Sequence, residues 1–353
     1  MKKGLLGAAG TVIGAGAATL ATGVLVERRV GRQRRRAMPD ADRLVALRSS
    51  PVEVTAEDGV RLHAEVDEPD PGSPPGPTVV FAHGYALNLD CWHFQRATFH
   101  GRRRMVFYDQ RSHGRSGRST DDNATVDQLG RDLLTVLDAL VPEGPAVLVG
   151  HSMGGMAIMA LAEQHPELFG DRVAGVGLLS TAADGMRPHR VLSPLIPDRI
   201  GGQAGPRLVA ALALAPQLVE TVRRRGSNIG YLVTDQLAFG ADVPPAYVEF
   251  VNEMIAATPF EVLAQFFPQF DALDKVSVLA ALDRVPTTVV CGTKDVLTSV
   301  RHSRKLAATV AGARLLELPD AGHMVILERK EEVNRALEDL FSDAEQVVAS
   351  RAS

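Results

Sequence analysis

One serine stands in a setting that could make its hydroxyl a nucleophile. Residues 150–154 read Gly-His-Ser-Met-Gly, and they join the apolar run 146–149 to a helical stretch over 153–165. A sharp turn between a strand and a helix exposes such a serine at the top of a sheet, where a base can take its proton. The flanking glycines fit because a tight turn leaves no space for a β-carbon. The positive end of the helix would also stabilise an oxyanion formed beside Ser152.

The apolar pattern predicts the strands and helices that must position this serine. A strand pair is expected over 52–54 and 61–66, joined by an Asp-Gly turn. After a proline-rich loop at 70–77, short apolar runs alternate with helical stretches such as 126–140. Runs of this length suit strands buried on both faces, so we expect a largely parallel sheet with helices on both sides. The runs that predict this sheet cover residues 78–82, 105–108, 146–149, 173–179, 287–290 and 314–318.

The stretch between the predicted strands that end near 180 and begin at 287 does not follow this pattern. It contains helical apolar segments over 207–222 and 247–255, and several phenylalanines between 260 and 270. We interpret it as an inserted helical cap, with the phenylalanines packing its interior. The predicted division of the chain is a segment 1–36, a core formed by 37–181 and 281–353, and a cap insertion over 182–280.

Further motifs follow several of the predicted strands. They read Phe-Ala-His-Gly-Tyr at 81–85, Tyr-Asp-Gln-Arg-Ser-His-Gly-Arg-Ser at 108–116, Gly-Thr-Lys-Asp at 292–295 and Asp-Ala-Gly-His at 320–323. Together with the serine motif, they make the chain resemble the α/β-hydrolases of the esterase, lipase and perhydrolase group, from about residue 51 to about residue 341. The resemblance implies the α/β-hydrolase fold, with a mostly parallel central sheet, helices on both faces and an inserted helical cap. In one departure, the family's usual Arg-Gly-His-Gly reads Arg-Ser-His-Gly at 111–114.

The resemblance also implies a catalytic triad. In this family the nucleophile, the acid and the base follow one another along the chain, an order that assigns these roles to Ser152, Asp295 and His323. His323 would take the proton of Ser152 and later give it to the leaving group, while Asp295 would fix the imidazole tautomer and stabilise its cationic form. Asp184 is the alternative acid, because some members of this fold place the acid after the preceding strand.

Two backbone amides complete the site that the resemblance implies. An oxyanion hole needs donors aimed at the position where negative charge develops. The family pattern takes one amide from the residue after the serine and one from the residue after His-Gly, which here are Met153 and Tyr85. Because both act through the backbone, their side chains should matter less than their positions. The Tyr85 hydroxyl could contact substrate or line the wall of the pocket.

Composition narrows the choice of partners and cofactors. The 353 residues carry a net charge of -4, and because segment 1–36 contributes +7, the remainder carries -11. An acidic folded part disfavours a nucleic-acid surface. We find no His-Glu-x-x-His, dinucleotide or phosphate-loop motif, so we expect neither a metal nor a cofactor. With only Cys91 and Cys291, far apart, a disulfide framework is excluded and a reducing compartment is favoured.

The first residues of the chain predict a membrane anchor. Residues 4–26 carry no charge and are long enough, as a helix, to cross a hydrocarbon layer of roughly 30 Å. Six arginines follow in 27–36, against two lysines before the apolar stretch, so the positive-inside rule places the folded part on the cytoplasmic side. The alternatives are a cleaved signal peptide, with export, and an arginine patch for nucleic acid, which we consider the weaker idea.

These inferences predict a membrane-tethered serine hydrolase. It would cleave a carboxylic ester, with an apolar acyl group favoured by the aliphatic and phenylalanine-rich cap. Thioesterase, acyltransferase or perhydrolase activity would use the same triad, since the pocket decides what attacks the acyl-enzyme. The hypothesis from another class is a small-molecule binding or sensing protein that keeps the fold with little turnover. No sequence pattern specifies an oligomeric state.

Overall fold

An eight-stranded sheet forms the centre of the protein in a computed structural model that describes residue 44, residues 47–186 and residues 234–352. Every strand segment inferred from the apolar pattern is a strand, with ends that agree within about two residues. In chain order the strands are β1 (Pro51–Thr55), β2 (Arg61–Asp67), β3 (Thr78–Ala82), β4 (Met105–Tyr108), β5 (Ala146–His151), β6 (Val173–Leu179), β7 (Thr287–Gly292) and β8 (Arg314–Leu318).

The strand order in the sheet is β1-β2-β4-β3-β5-β6-β7-β8. All pairs from β4 to β8 are parallel, whereas β2 pairs antiparallel with both β1 and β4. The carboxyl ends of the parallel strands therefore share one edge, where the loops after them converge. The register sets Ala82 of β3 beside Gly150 of β5, and His151 beside Leu179 of β6.

Helices cover both faces of the sheet. On β3, Val80 and Ala82 belong to one buried cluster, while Val79 and Phe81 belong to the other, as the alternation of a strand buried on both sides requires. The named helices are α1 (His93–Phe99), α2 (Val126–Leu140), α3 (Met153–Gln164), α4 (Pro245–Ala257), α5 (Phe260–Asp271), α6 (Val300–Thr309), α7 (Val325–Glu328) and α8 (Lys330–Ala352). Helices α2 and α3 pack on the first face, and α1 and α8 on the second. The predicted fold class is confirmed.

Of the cap expected over 182–280, the structure describes residues 182–186 and 234–280, and most of the second stretch is helical. Helices α4 and α5 lie within it, and Phe266 and Phe270 of α5 are buried in the first core cluster. The predicted helix at 207–222 lies outside the described residues, so the domain division remains a prediction. The predicted anchor at 4–26 also lies outside them. Within the described ranges, no helix combines the length and apolar character that a membrane span needs.

Candidate active site

Ser152 occupies the turn between β5 and α3, with a backbone conformation that residues other than glycine rarely adopt. Its φ is 51° and its ψ is -117°, which costs on the order of 1–3 kcal/mol of backbone strain. Two contacts with the end of β6 hold the turn: the Ser152 N–H donates to the Leu179 carbonyl over 2.9 Å, and the Thr181 hydroxyl donates to the Ser152 carbonyl over 2.7 Å. The serine is therefore fixed between neighbouring strands at the edge where the loops converge.

The glycines of the serine motif allow backbone segments to touch. A β-carbon on Gly154 would collide with the carbonyl oxygen of Ala82, the last residue of β3. A β-carbon on Gly150 would lie 2.5 Å from the carbonyl carbon of Gly154, closer than real contacts allow. Both glycines are thus required by close approach, as the motif indicated.

Asp295 and His323 form a buried pair on the loops after β7 and β8. The imidazole Nδ1 donates to Oδ2 of Asp295 over 2.9 Å. The carboxylate also accepts the Thr298 hydroxyl over 2.7 Å, and the backbone N–H groups of Leu297 and Thr298 over 2.8 Å each. Burial alone would raise the pKa of Asp295, but the charge of His323 and these hydrogen bonds outweigh it, so that the pKa lies below its ordinary value. Asp295 is therefore ionised at neutral pH and its imidazole partner is held by Nδ1.

Asp184, the alternative acid, has other partners. Its carboxylate accepts a hydrogen bond from Nζ of Lys305 over 2.5 Å, and its backbone forms an isolated bridge with Asp274. The carboxylate that contacts the imidazole of His323 is that of Asp295.

His151 joins the serine turn to the loop of His323, a role that nothing in the sequence indicates beyond the residue's place in the motif. Its Nε2–H donates to the backbone carbonyl of His323 over 3.0 Å, and the two imidazole rings are 4.8 Å apart between centroids. Burial lowers the pKa of His151 to about 3, so the ring is neutral and one nitrogen carries the donated proton. Since His151 immediately precedes Ser152, this bond joins the loops of the two residues expected to react.

The loop after β3 passes directly beside Ser152. A β-carbon on Gly84 would lie 3.2 Å from the β-carbon of Ser152, so this glycine lets the backbone leading to Tyr85 approach the serine. Met153 is the first residue of α3, and its N–H is one of the four that the helix itself leaves without a carbonyl partner. The two amides expected to bind an oxyanion thus belong to segments on either side of the serine.

The side chain of Tyr85 connects this loop with the cap. Its hydroxyl donates to the Leu263 carbonyl of α5 over 2.5 Å, and its ring packs edge-on against Phe270 with 5.0 Å between centroids. Burial raises the pKa of Tyr85, so the hydroxyl stays protonated and remains a donor. These contacts join the Tyr85 side chain to α5, within the predicted cap, and its place in the wall of a pocket remains a prediction.

The motif after β4 is hydrogen-bonded to the loop after β3. His83 accepts the Gln110 N–H at Nε2 over 2.9 Å and donates from Nδ1 to the Gly84 carbonyl over 2.7 Å, while burial lowers its pKa to about 4. Ser112, where the family usually has glycine, adopts a φ of 66°, and its hydroxyl accepts the Ser119 N–H over 2.8 Å. The departure from the family motif therefore keeps the glycine-like backbone conformation and adds a hydrogen bond.

Thr298 is a further residue that sequence reasoning missed. Its side chain is fully buried and donates to Asp295 from three residues along the chain. The spacing Asp-x-x-Thr could have indicated a side chain that caps the aspartate, but such turns are too common to single out. Within the described ranges, no group of three or more histidine, cysteine or acidic residues is arranged to hold a metal ion.

The chain belongs to the alpha/beta hydrolase family, whose sequence profile matches residues 79–336. It is 27% identical over 288 residues to 3-oxoadipate enol-lactonase 2 of Acinetobacter baylyi, with 81% of this chain and 94% of that protein covered. It is 29% identical over 269 residues to the dihydrolipoyllysine-residue acetyltransferase component of an acetoin cleaving system from Pseudomonas putida, where it spans 75% of its own length and only 64% of the relative. The crystal structure of the enol-lactonase from Burkholderia xenovorans superposes with a TM-score of 0.63 at 26% identity, covering 82% of this chain and 100% of that one. Membership of a hydrolase family is thus shown by sequence and by fold.

Proposed function

We propose that the protein is a serine hydrolase that cleaves carboxylic esters through an acyl-enzyme on Ser152. The observation that carries this proposal is the buried Asp295–His323 pair, whose loop is joined through His151 to the turn that presents Ser152. An ionised carboxylate on Nδ1 sets the imidazole tautomer that leaves Nε2 free to accept a proton. Ser152 lies at the N-terminus of α3, where the helix dipole favours negative charge.

In the first half of the reaction, Oγ of Ser152 attacks the ester carbonyl while its proton passes to Nε2 of His323. The new C–O bond moves the carbonyl electron pair onto oxygen, and the backbone amides of Tyr85 and Met153 donate to that oxyanion. When the intermediate collapses, the alcohol leaves with the proton from Nε2. Asp295 stays ionised throughout and stabilises the imidazolium that forms in between.

In the second half, water takes the place of the alcohol. His323 removes a proton from the water as its oxygen attacks the acyl carbon, and the acid is released when Ser152 regains its proton. Besides the substrate and water, each step uses only groups of this chain, and no metal or cofactor enters the proposed reaction.

The substrate class follows from the relatives and from the described part of the cap. A lactone is an internal carboxylic ester, and enol-lactonases are among the proteins that this chain resembles. The described part of the predicted cap packs aromatic side chains against the core, with Phe270 on Tyr85 and Phe266 near His113. A cap of this composition favours an apolar acyl group over a charged one. A membrane anchor at 4–26 would place such an enzyme close to lipid-derived esters.

A fluorophosphonate probe tests the proposal, because it reacts with a serine that a neighbouring base has activated. We expect wild-type protein to be labelled and Ser152→Ala to remain unlabelled. Ser342→Ala, on α8 and with its hydroxyl bonded only to the Glu338 carbonyl in the described structure, is the matched control and should label as wild type does. A folded wild-type protein that takes no label would contradict the proposal and favour a ligand-binding protein.

The same samples can define the acyl group. We expect kcat/KM for p-nitrophenyl esters to rise from acetate towards longer acyl chains, since each methylene buried in an apolar pocket contributes about 0.8 kcal/mol. A profile that falls steadily from acetate would contradict the apolar acyl site while leaving the serine mechanism in place.

A further inference from the structure

Glu328 joins two segments that lie far apart in sequence. It is the last residue of α7 and is half-buried, and its carboxylate faces the backbone of the loop that contains His323. Oε1 accepts the N–H of Gly322 over 2.8 Å, and Oε2 accepts the N–H of Gly240 over 3.0 Å. Gly322 directly precedes His323, whereas Gly240 lies in the predicted cap, just before α4. One carboxylate therefore accepts hydrogen bonds both from the loop of His323 and from the predicted cap.

The two segments are also in direct backbone contact. A β-carbon on Gly240 would lie 2.5 Å from the carbonyl carbon of Ala321, so a side chain there would force the two backbone segments to shift apart. On the other side of His323, the N–H of Met324 donates to the Ala238 carbonyl over 2.9 Å. Met324 is thus hydrogen-bonded to the short stretch 238–240, and Gly322 is linked to the same stretch through the carboxylate of Glu328.

Only a carboxylate satisfies this arrangement. Both of its oxygens accept, and the two N–H groups approach from different segments, so each oxygen has a donor of its own. A glutamine of the same shape would offer one oxygen and one NH₂ group, and the NH₂ group would face an N–H. Burial raises the pKa of Glu328, while the N–H donors of Gly240 and Gly322 favour its ionised form.

We infer that Glu328 is a positioning residue, which fixes the backbone on which His323 stands by binding it to the segment 238–240 of the cap. The inference rests on the proposed function, in which His323 is the base. Glu328 does not touch the reacting atoms: it acts through the place and orientation of the imidazole. A change far from the reacting atoms can displace a catalytic group slightly. Such a displacement lowers the rate of the chemical step more than it weakens substrate binding.

The test compares Glu328→Gln with Glu331→Gln, an exposed control that makes the same chemical change three residues further along. We expect kcat for p-nitrophenyl esters to fall between about tenfold and about a hundredfold in Glu328→Gln, with KM close to the wild-type value. The fall should be equal for acetate and octanoate esters, because His323 serves the chemistry of both. Glu331→Gln should match wild type in kcat and KM. The midpoint of thermal unfolding is measured for each variant, and rates are compared where all are folded.

Gly240→Ala tests the same contact from the cap side if Glu328→Gln does not fold. Its β-carbon would push against Ala321 while the carboxylate stays intact, and we expect the same loss of kcat without a change in KM. The inference is overturned if the folded variant keeps the kcat of Glu331→Gln, or if it loses only thermal stability. It is also overturned if the loss grows with acyl length, which would show an effect on the acyl pocket. Wild-type protein that neither hydrolyses esters nor takes the fluorophosphonate label would instead refute the proposed function.

Discussion

Replacing Thr298 with valine tests how Asp295, the proposed acid of the triad, is held in place. The change removes one hydroxyl and keeps the shape of a side chain that is fully buried. The lost bond is the 2.7 Å donation to Oδ2 of Asp295, the oxygen that also accepts from His323. A hydrogen bond to a charged group contributes about 1.5–3 kcal/mol, so we expect Thr298→Val to lower the free energy of unfolding by that amount at pH 7.

The effect on catalysis should be smaller than removal of the carboxylate. Two backbone N–H groups and the imidazole still hold Asp295 in the variant, so the tautomer of His323 is preserved and we expect kcat to fall about tenfold. Asp295→Asn, which disturbs the tautomer itself, should cost on the order of 10⁴ in kcat, the loss seen for the equivalent change in the serine-protease triad. Urea denaturation and hydrolysis of p-nitrophenyl butyrate measure the two quantities.

The pH dependence of the stability difference follows from the sign of the pKa shift. The folded pKa of Asp295 lies below its ordinary value of 3.8, so its ionised form adds stability that is present above 3.8 and is lost as the pH falls through the folded pKa. Because Thr298→Val lacks one hydrogen bond to the ionised carboxylate, its stability depends less on the ionisation of Asp295. The gap between wild type and variant should therefore be widest near neutral pH and should narrow below pH 3.8.

Thr288→Val is the matched control. Thr288 is buried in β7, and its hydroxyl has no hydrogen-bond partner within the part of the chain that the structure describes. Valine suits a strand and leaves no polar group unpaired, so this variant should be as stable as wild type or more stable. If Thr298→Val behaves like Thr288→Val in both stability and kcat, the reasoning about the acid is refuted.

Further predictions concern the approach of the backbone, the link to the cap and the anchor. Tyr85→Phe removes the donor to the Leu263 carbonyl but keeps the amide, so it should lose about 0.5–1.5 kcal/mol of stability and only a small part of kcat; a complete loss of activity would assign the hydroxyl to catalysis. Gly154→Ala should prevent correct folding, because its β-carbon would meet the Ala82 carbonyl; a circular dichroism melt that matches wild type would contradict this. Full-length protein should sediment with membranes while a chain that begins at Met38 stays in the supernatant, and equal solubility of both would remove the anchor.

The central sheet could be predicted because strands that are buried on both faces appear in the sequence as short, continuous apolar runs. Residues such as Val79, Val80 and Phe81 are apolar whichever face they point to, and a run of this kind within an alternation of helices is typical of a parallel strand. The serine was found for a similar reason. The tight turn at Ser152 imposes glycines on its neighbours, and that requirement is visible in a single sequence.

The supporting contacts could not be predicted, because they depend on how distant loops meet. Arg111 is fully buried and binds Asp58 and Asp132, carboxylates 53 and 21 positions away. No sequence pattern around Arg111, Asp58 or Asp132 indicates that these residues bind one another. Thr298 and Glu328 were missed on the same ground: each is an ordinary polar residue on a loop or helix end, and only the folded backbone shows which donor or acceptor it faces.

Two of the contacts between the predicted cap and the core limit how freely the cap segment could be exchanged for another. A foreign cap grafted onto this scaffold would need a carbonyl opposite the Tyr85 hydroxyl, and a residue without a β-carbon where Gly240 meets the loop of the base. A graft that lacked them would keep the serine, acid and imidazole in sequence and still lose the geometry of the reaction. If the proposed acyl site is redesigned, substitutions away from these contacts carry the least risk to the geometry around His323.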